Sequence, residues 1–461
     1  MKKIKIIVTI LVLMFVVSSC SNSSNTQDAN LVLPEGAVAI DLSDNEITVN
    51  GEKISSDDSY GVYAANDIVY YEKGKGFAYG EGREDESYSK EDAETHTVVH
   101  ITEPGTYGIS GKLSFGQIAI DLGKRAKHDP DAVVTLILNG IDINCEVAPA
   151  VIFYNVYECG DDDEDDAIKD VDTSSAGANV IISDGTVNNI NGLYVARIYD
   201  PESVILNEDE TAVQTAEKLH KYDGAFYSKM SMNINGGKEG TGVLNIKAEN
   251  EGLDSEMHLT INGGNINIES GNDGINTNED EVSVTTINGG NIKIKVTGES
   301  GEGDGIDSNG WIVINDGTLN VESCSSSMDA GLDSDMGTYI NGGIVVASGN
   351  MLDGNIKGEQ ASIAFSLKEN KDGGETVYIK DKYGEIIDEL APQNGYNVLI
   401  YSTPYLDGTK YTLWDAEKQL AISGENIVEG PGMGGMRPKP YDDMEVPEEM
   451  ESVEIIPFTA T

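Results

Sequence analysis

Basic residues are scarce in this sequence: 30 Lys and Arg stand against 80 Asp and Glu, a formal net charge of −50. Such a balance repels nucleic acid and anionic lipid headgroups, so neither is an expected partner, while cations are favoured. Cysteine is scarce too. Besides Cys20 there are only Cys145, Cys159 and Cys324, an odd count without metal-ligand spacing, which excludes a disulfide framework and a zinc site. Cys145 and Cys324 lie in strand-like runs and read as small core residues; the spacing also allows a Cys145–Cys159 bridge. Beyond the N-terminus no run is apolar enough to span a bilayer. Helical periodicity is nearly missing as well, the exception being Glu208 to Leu219, which reads as one short helix.

The two ends are set apart by composition. Residues 1–20 carry Lys2, Lys3 and Lys5, an apolar stretch from Ile6 to Val17, and then Ser18-Ser19-Cys20. A basic head, a short apolar run and small residues before a cysteine describe a secretory signal, and the cysteine at the cut site resembles a bacterial lipobox. The expected mature chain starts at a lipidated Cys20 on the outer face of the bacterial cell membrane, with residues 21–37 as a polar tether. Residues 428–461, rich in Pro, Gly, Met and Glu, read as a disordered tail.

What is abundant is repetition. Ile234-Asn-Gly-Gly, Ile261-Asn-Gly-Gly, Ile287-Asn-Gly-Gly, Ile314-Asn-Asp-Gly and Ile340-Asn-Gly-Gly recur at intervals of 27, 26, 27 and 26 residues. A second phrase precedes the first in each period: Gly252-Leu-Asp-Ser, Gly274-Ile-Asn-Thr, Gly305-Ile-Asp-Ser and Gly331-Leu-Asp-Ser, with Gly224-Ala-Phe a degenerate first copy. After each glycine pair come runs of period two, such as Asn265-Ile-Asn-Ile and Asn291-Ile-Lys-Ile, the pattern of a strand with one buried face.

Several short strands per period, with Gly, Asn and Asp at the corners, predict an all-β fold: a right-handed parallel β-helix with a C-terminal β cap, over residues 38–427. Stacking at about 4.8 Å would line up Ile261, Ile287, Ile314 and Ile340 as an inner ladder. Asn235, Asn262, Asn288, Asn315 and Asn341 would form an asparagine ladder at a corner, each amide satisfying the next. Upstream, Thr97-Val-Val-His-Ile, Tyr107 to Leu113 and Val133 to Gly140 read as coils with weaker repetition, the last apolar on successive positions and so buried on both sides. Residues 72–94 read as an exposed loop. The run Glu158 to Asp172, nine acidic residues in fifteen, lacks the central glycine and final glutamate of an EF-hand and reads as a solvated insertion. Past Val346, the segments at Ala361, Thr376, Asn397 and Tyr411 read as antiparallel strands capping the open edge.

One position of the repeat carries chemistry. Asp254, Asn276, Asp307 and Asp333 follow the same Gly-Leu or Gly-Ile step, and a second acidic column, Glu251, Asp273 and Asp304, lies three residues earlier. Carboxylates stacked one coil apart repel by roughly 1 kcal/mol in water and several times more when partly buried, so a cation is expected among them. Calcium suits the set, since it takes six to eight oxygens at about 2.4 Å in irregular geometry. The alternative is a solvated corner in which each Asp caps its own turn.

At these residues the sequence resembles clostridial-type surface proteins whose right-handed β-helix binds cellulose and pectin, related in structure to family 9 polysaccharide lyases. The resemblance rests on Glu251-Gly-Leu-Asp-Ser, Asp273-Gly-Ile-Asn-Thr and Asp304-Gly-Ile-Asp-Ser, with Val98 to Leu113 and Leu136 to Ile143 in support. It implies a calcium-containing, carbohydrate-binding β-helix at the cell surface. A lyase would need an unprotonated lysine base beside the acidic site. Lys247, Lys293 and Lys295 alternate with inward aliphatics and should face solvent, and carboxylate neighbours raise a lysine's pKa rather than lower it. The expected function is therefore non-catalytic binding of extracellular polysaccharide along a lateral face, ahead of a calcium-dependent pectate lyase.

Overall fold

The computed structural model describes residues 33–354 and 356–424. The expected signal with Cys20, most of the tether and the tail 428–461 lie outside them. The described residues are nearly all strand or turn, with a single α-helix, Lys90–Glu94. None of their helices is long and apolar enough to cross a membrane. The protein is all-β.

Its organising feature is parallel pairing from one sequence repeat to the next. In a first column, Ala178–Ile182, Met232–Gly236, Leu259–Ile261, Val284–Ile287, Trp311–Ile314 and Gly337–Ile340 pair in succession. Ile234, Ile261, Ile287, Ile314 and Ile340 are register partners and fully buried, so the aliphatic ladder forms as the spacing predicts. A second column runs through Val187–Gly192, Val243–Ala248, Asn265–Ser270, Asn291–Val296, Thr318–Glu322 and Ile344–Gly349. Long strands at Gly105–Leu113 and Val134–Asn144 join both columns into one 19-stranded sheet, which bends nearly closed, in a barrel-like way, around the core. A third column, in a separate 8-stranded sheet, steps through Gly224–Ser228, Glu251–Ser255, Ile275–Thr277 and Ile306–Ser308.

Glycine is needed at two places in the periods of Ile261, Ile287, Ile314 and Ile340. The last glycine of the Ile-Asn-Gly-Gly phrase turns the chain at positive φ, 99° at Gly290 and 84° at Gly343, where a Cβ on Gly343 would also meet the Gly317 carbonyl at 2.7 Å. The glycine opening the second phrase lies against the second column: a Cβ on Gly274 would come within 2.1 Å of Ile294 Cγ2. Both phrases are thus consequences of how tightly one coil sits on the next.

The corner asparagines form the expected ladder. Asn262, Asn288, Asn315 and Asn341 each donate from Nδ2 to the Oδ1 of the preceding asparagine, at 3.0, 2.9, 2.9 and 2.8 Å. The last coil strand, Ile344–Gly349, pairs antiparallel with Tyr396–Ser402, which pairs antiparallel with Ser362–Lys371. These C-terminal strands build a second hydrophobic cluster around Phe365, Leu399 and Leu413, and cover the strand edge.

Two local expectations are corrected. Glu208 to Leu219 forms no helix: Val213–Thr215 pairs with Ile205–Leu206, and Lys218–Tyr222 with Val195–Tyr199. The Asn207 side chain accepts from the backbone N–H of Thr211 and Ala212 and Glu210 takes φ 55°, so a tight turn replaces the helix. Conversely, the stretch 72–94 holds the one α-helix, started by a Ser89 cap on the Asp92 N–H. Cys145 and Cys159 are both free thiols, and Cys145 and Cys324 are buried, as expected of core residues.

Candidate functional site

The third column positions the acidic residues. Its inward side chains are Phe226, Leu253, Ile275 and Ile306, partners in register, so the next residue in each strand points the other way. Tyr227, Asp254, Asn276 and Asp307 therefore stack, and Asp333 follows through the Ile306–Leu332 bridge. The second acidic column stacks alongside, with the Gly252 N–H bonded to the Asp273 carbonyl and the Gly274 N–H to that of Asp304.

The seven expected ligands divide into two groups. Glu251, Asp254 and Asn276 lie buried together, Asn276 Nδ2 donating to Glu251 Oε1 at 3.1 Å. Glu251 Oε2, Asp254 Oδ2 and Asn276 Oδ1 are buried without a partner. The other group is Asp304, Asp307 and Asp333, which present carboxylate oxygens within 4.8 Å of one another. Asp273 sits between the groups, but one of its oxygens accepts from the Asp304 N–H at 2.6 Å, and Asp304 accepts from the Ala330 N–H at 2.5 Å. Part of this column thus caps the next coil's backbone rather than its own turn.

Burial drives all six carboxyl pKa values up, with the neighbouring acids adding to it. Glu251, Asp254, Asp304 and Asp307 stand well above the ordinary range; Asp273 is raised to about 7 and Asp333 to about 8. At an effective dielectric of about 20, two charges 4.8 Å apart repel by roughly 3 kcal/mol. Orphaned buried oxygens, and a donor set of carboxylates and an amide with no nitrogen or sulfur ligand, fit a hard cation of calcium's kind.

Sequence reasoning missed several members. Asp223 is buried beside the first group and pairs with Lys221 at 2.5 Å. Asn278 donates to Asp254 at 2.7 Å, and Asp353 accepts from the Ser334 N–H at 3.0 Å. Asp223 stands next to the degenerate Gly224 copy and Asp353 beyond the last repeat, so periodicity marks neither. Burial disfavours the Lys221 ammonium, yet Asp223, with Glu251 and Asp254 behind it, outweighs this and raises its pKa. It stays charged.

The outward face of the second column is a separate surface. Asn245 donates to Asn189 and Asn267 to Asn245, both at 2.9 Å, a second amide ladder lining an open groove of about 630 Å³. Alongside run Lys247, Glu269 and Lys295, in register; Lys247 pairs with Glu269 at 3.3 Å. Lys247, Lys293 and Lys295 are exposed, as their alternation predicts. Buried Glu322 closes one end of the groove by accepting from the Gln393 and Asn394 N–H groups at 2.8 and 2.7 Å.

A family model described as "Carbohydrate-binding domain-containing protein" matches residues 95–160 and 198–380, together more than half of the chain. Among solved structures, the chain is similar to a polysaccharide lyase-like protein from C. thermocellum, solved as a gadolinium derivative. The identity is 18% and the TM-score 0.37, over 70% of this chain and 94% of that one. No curated protein matches. The chain belongs to the family of carbohydrate-binding domain-containing proteins.

Proposed function

We propose that this protein is a lipid-anchored, cell-surface polysaccharide-binding protein whose strand columns wind as a right-handed parallel β-helix, as in the clostridial-type cellulose- and pectin-binding family. The observation that carries the reading is the amide ladder Asn189–Asn245–Asn267 in the groove of the second column. Along the ladder Asn245 uses one N–H and one acceptor site, Asn189 only an acceptor and Asn267 only an N–H, and the remaining donors and acceptors are kept for a ligand. The ladder advances one coil at a time, about 4.8 Å, close to the length of one pyranose ring in an extended polymer. Sugar hydroxyls would meet the same donor and acceptor on each coil, while Lys293 and Lys295 would hold any carboxylate of a pectin-type chain.

Calcium belongs to this proposal as a structural ion. Glu251, Asp254 and Asn276 would hold one, and Asp304, Asp307 and Asp333 another, with Asp273 and Asp223 at their margins. When bound, the ion supplies the positive charge that lets these buried carboxylates ionise together. Binding is favoured over β-elimination because Lys221, the lysine beside the acidic columns, is held as an ammonium in an ion pair with Asp223.

Incubation with polygalacturonate and calcium separates the two activities. The expected result is retention of the polymer with no ultraviolet-absorbing unsaturated product. Formation of that product, lost in Lys221→Ala, would make the protein a lyase.

A further inference from the structure

A cavity of about 810 Å³ lies away from the amide ladder, between the third column and the hairpin of Val195–Tyr199 with Lys218–Tyr222. Its lining is unusual for this chain. Five lysines, Lys124, Lys127, Lys218, Lys221 and Lys229, face it against five carboxylates, whereas acids outnumber bases 80 to 30 overall.

The carboxylates of the groove are largely engaged. Asp162 pairs with Lys127 at 2.9 Å and Glu256 with Lys218 at 3.2 Å. Asp67 bonds His100 at 2.8 Å, and Asp121 accepts from Asn155 at 2.8 Å. Burial, then Glu256, raises the pKa of Glu279. Lys221 is held by Asp223. Lys124 and Lys229, both exposed, make no ion pair among the described residues. The groove therefore offers two uncommitted cations in a protein whose overall field repels anions.

The floor is aromatic. Tyr154 and Tyr222 meet edge to face with centroids 5.3 Å apart, and Tyr222 meets Tyr227 at 5.1 Å. His220 Nδ1 lies 2.5 Å from the Tyr222 hydroxyl, and Tyr227 donates to Glu256 at 2.7 Å, so the rings are fixed before any ligand arrives. Aromatic faces take the C–H side of a sugar ring, and convergent polar groups take its hydroxyls. Val69, Leu219 and His220 also line a smaller neighbouring pocket of about 320 Å³, so a bound chain has room to continue.

We infer that this groove is a second carbohydrate site, specific for an anionic sugar unit, with Lys124 and Lys229 binding its carboxylate or sulfate and Tyr154, held from behind by buried Tyr222, packing against its ring. The site is separate from the amide-ladder face and differs from it in being aromatic.

The test is calorimetric titration of the full-length protein, in calcium, with trigalacturonate, a sulfated galactosaminoglycan tetrasaccharide and neutral cellotriose. Binding of either anionic probe, with cellotriose weaker by about tenfold or more, is the expected result; which of the two binds identifies carboxylate or sulfate as the recognised group. Lys124→Ala with Lys229→Ala, at exposed positions that leave the fold intact, should weaken the anionic probe about tenfold. Lys238→Ala, exposed and outside both grooves, should leave it unchanged, while Lys293→Ala with Lys295→Ala reports separately on the amide-ladder face. Failure of both anionic probes, equal binding of cellotriose, or insensitivity to the Lys124 and Lys229 changes would overturn the inference. Loss of probe binding in the Lys293 and Lys295 variant instead would overturn it while leaving the amide-ladder reading standing.

Discussion

Asp254 and Asn276 are register partners in adjacent parallel strands, and each keeps one fully buried side-chain oxygen without a hydrogen-bond donor. An unmet buried acceptor costs about 1–3 kcal/mol. Two of them in register, with Glu251 Oε2 as a third, are the unmet acceptors that the proposed calcium would satisfy.

Calcium should therefore stabilise the protein by mass action. Added to chelator-treated protein, it should raise Tm by several degrees, and Asp304→Ala with Asp307→Ala should shrink that rise. An unchanged Tm on adding the ion would remove calcium from the account.

The raised carboxyl pKa values give the pH dependence a sign. Asp273, at about 7, and Asp333, at about 8, owe their shifts first to burial and bind more protons folded than unfolded from about pH 4 up to those values. Their contribution to stability falls as pH rises through that window. His258, lowered to about 4 by burial, acts oppositely below pH of about 6.5, where its unfolded form takes up the proton first. Above about 6.5 only the carboxyl trend remains, so Tm of the chelated protein should drop toward pH of about 8. Calcium should flatten the drop.

Ile287 is fully buried between Ile261 and Ile314. Ile287→Asp places an unpaired charge in that ladder and should cost several kcal/mol; Ile287→Val should cost about 1 kcal/mol. Denaturant melts check both, and an Asp variant as stable as the parent would mean the register is wrong.

Glu158 anchors the acidic insertion. It is buried, and accepts from Ser231 N and Oγ at 2.6 Å each and from the Gly160 N–H at 2.8 Å. Glu158→Ala leaves the Ser231 N–H unmet and should cost about 2 kcal/mol. Limited proteolysis should then cut faster within residues 159–172. Cleavage at the parent's rate would deny Glu158 that role.

Much of the architecture was legible because identical side chains recur once per coil. The Ile ladder, the corner asparagines and the stacking of Asp254, Asn276 and Asp307 all follow from one period. The amide ladder Asn189–Asn245–Asn267 was not legible: its members stand 56 and 22 residues apart, off the 26–27 residue period, and Lys293 takes the position in the next coil. Glu208 to Leu219 misled because its Ala, Glu, Lys and Leu favour a helix, whereas pairing with Val195–Tyr199 decides its structure. The lysine and tyrosine groove was out of reach: Lys124 follows Gly116–Asp121, Tyr154 lies in Val151–Asn155, and Tyr222 and Lys229 flank Gly224–Ser228, with no shared phrase. The acidic insertion is solvated from Asp161 to Asp166, as its composition predicts, but its first residue is a buried anchor that composition cannot mark.

Retention on insoluble cellulose and on calcium-pectate gel tests the central claim most directly. The parent should be held by at least one of them, and Asn245→Ala with Asn267→Ala, at half-buried positions on the groove, should be released at least about tenfold more readily while melting within a few degrees of the parent. A parent that passes through both matrices, or a double variant retained as strongly as the parent, would contradict it.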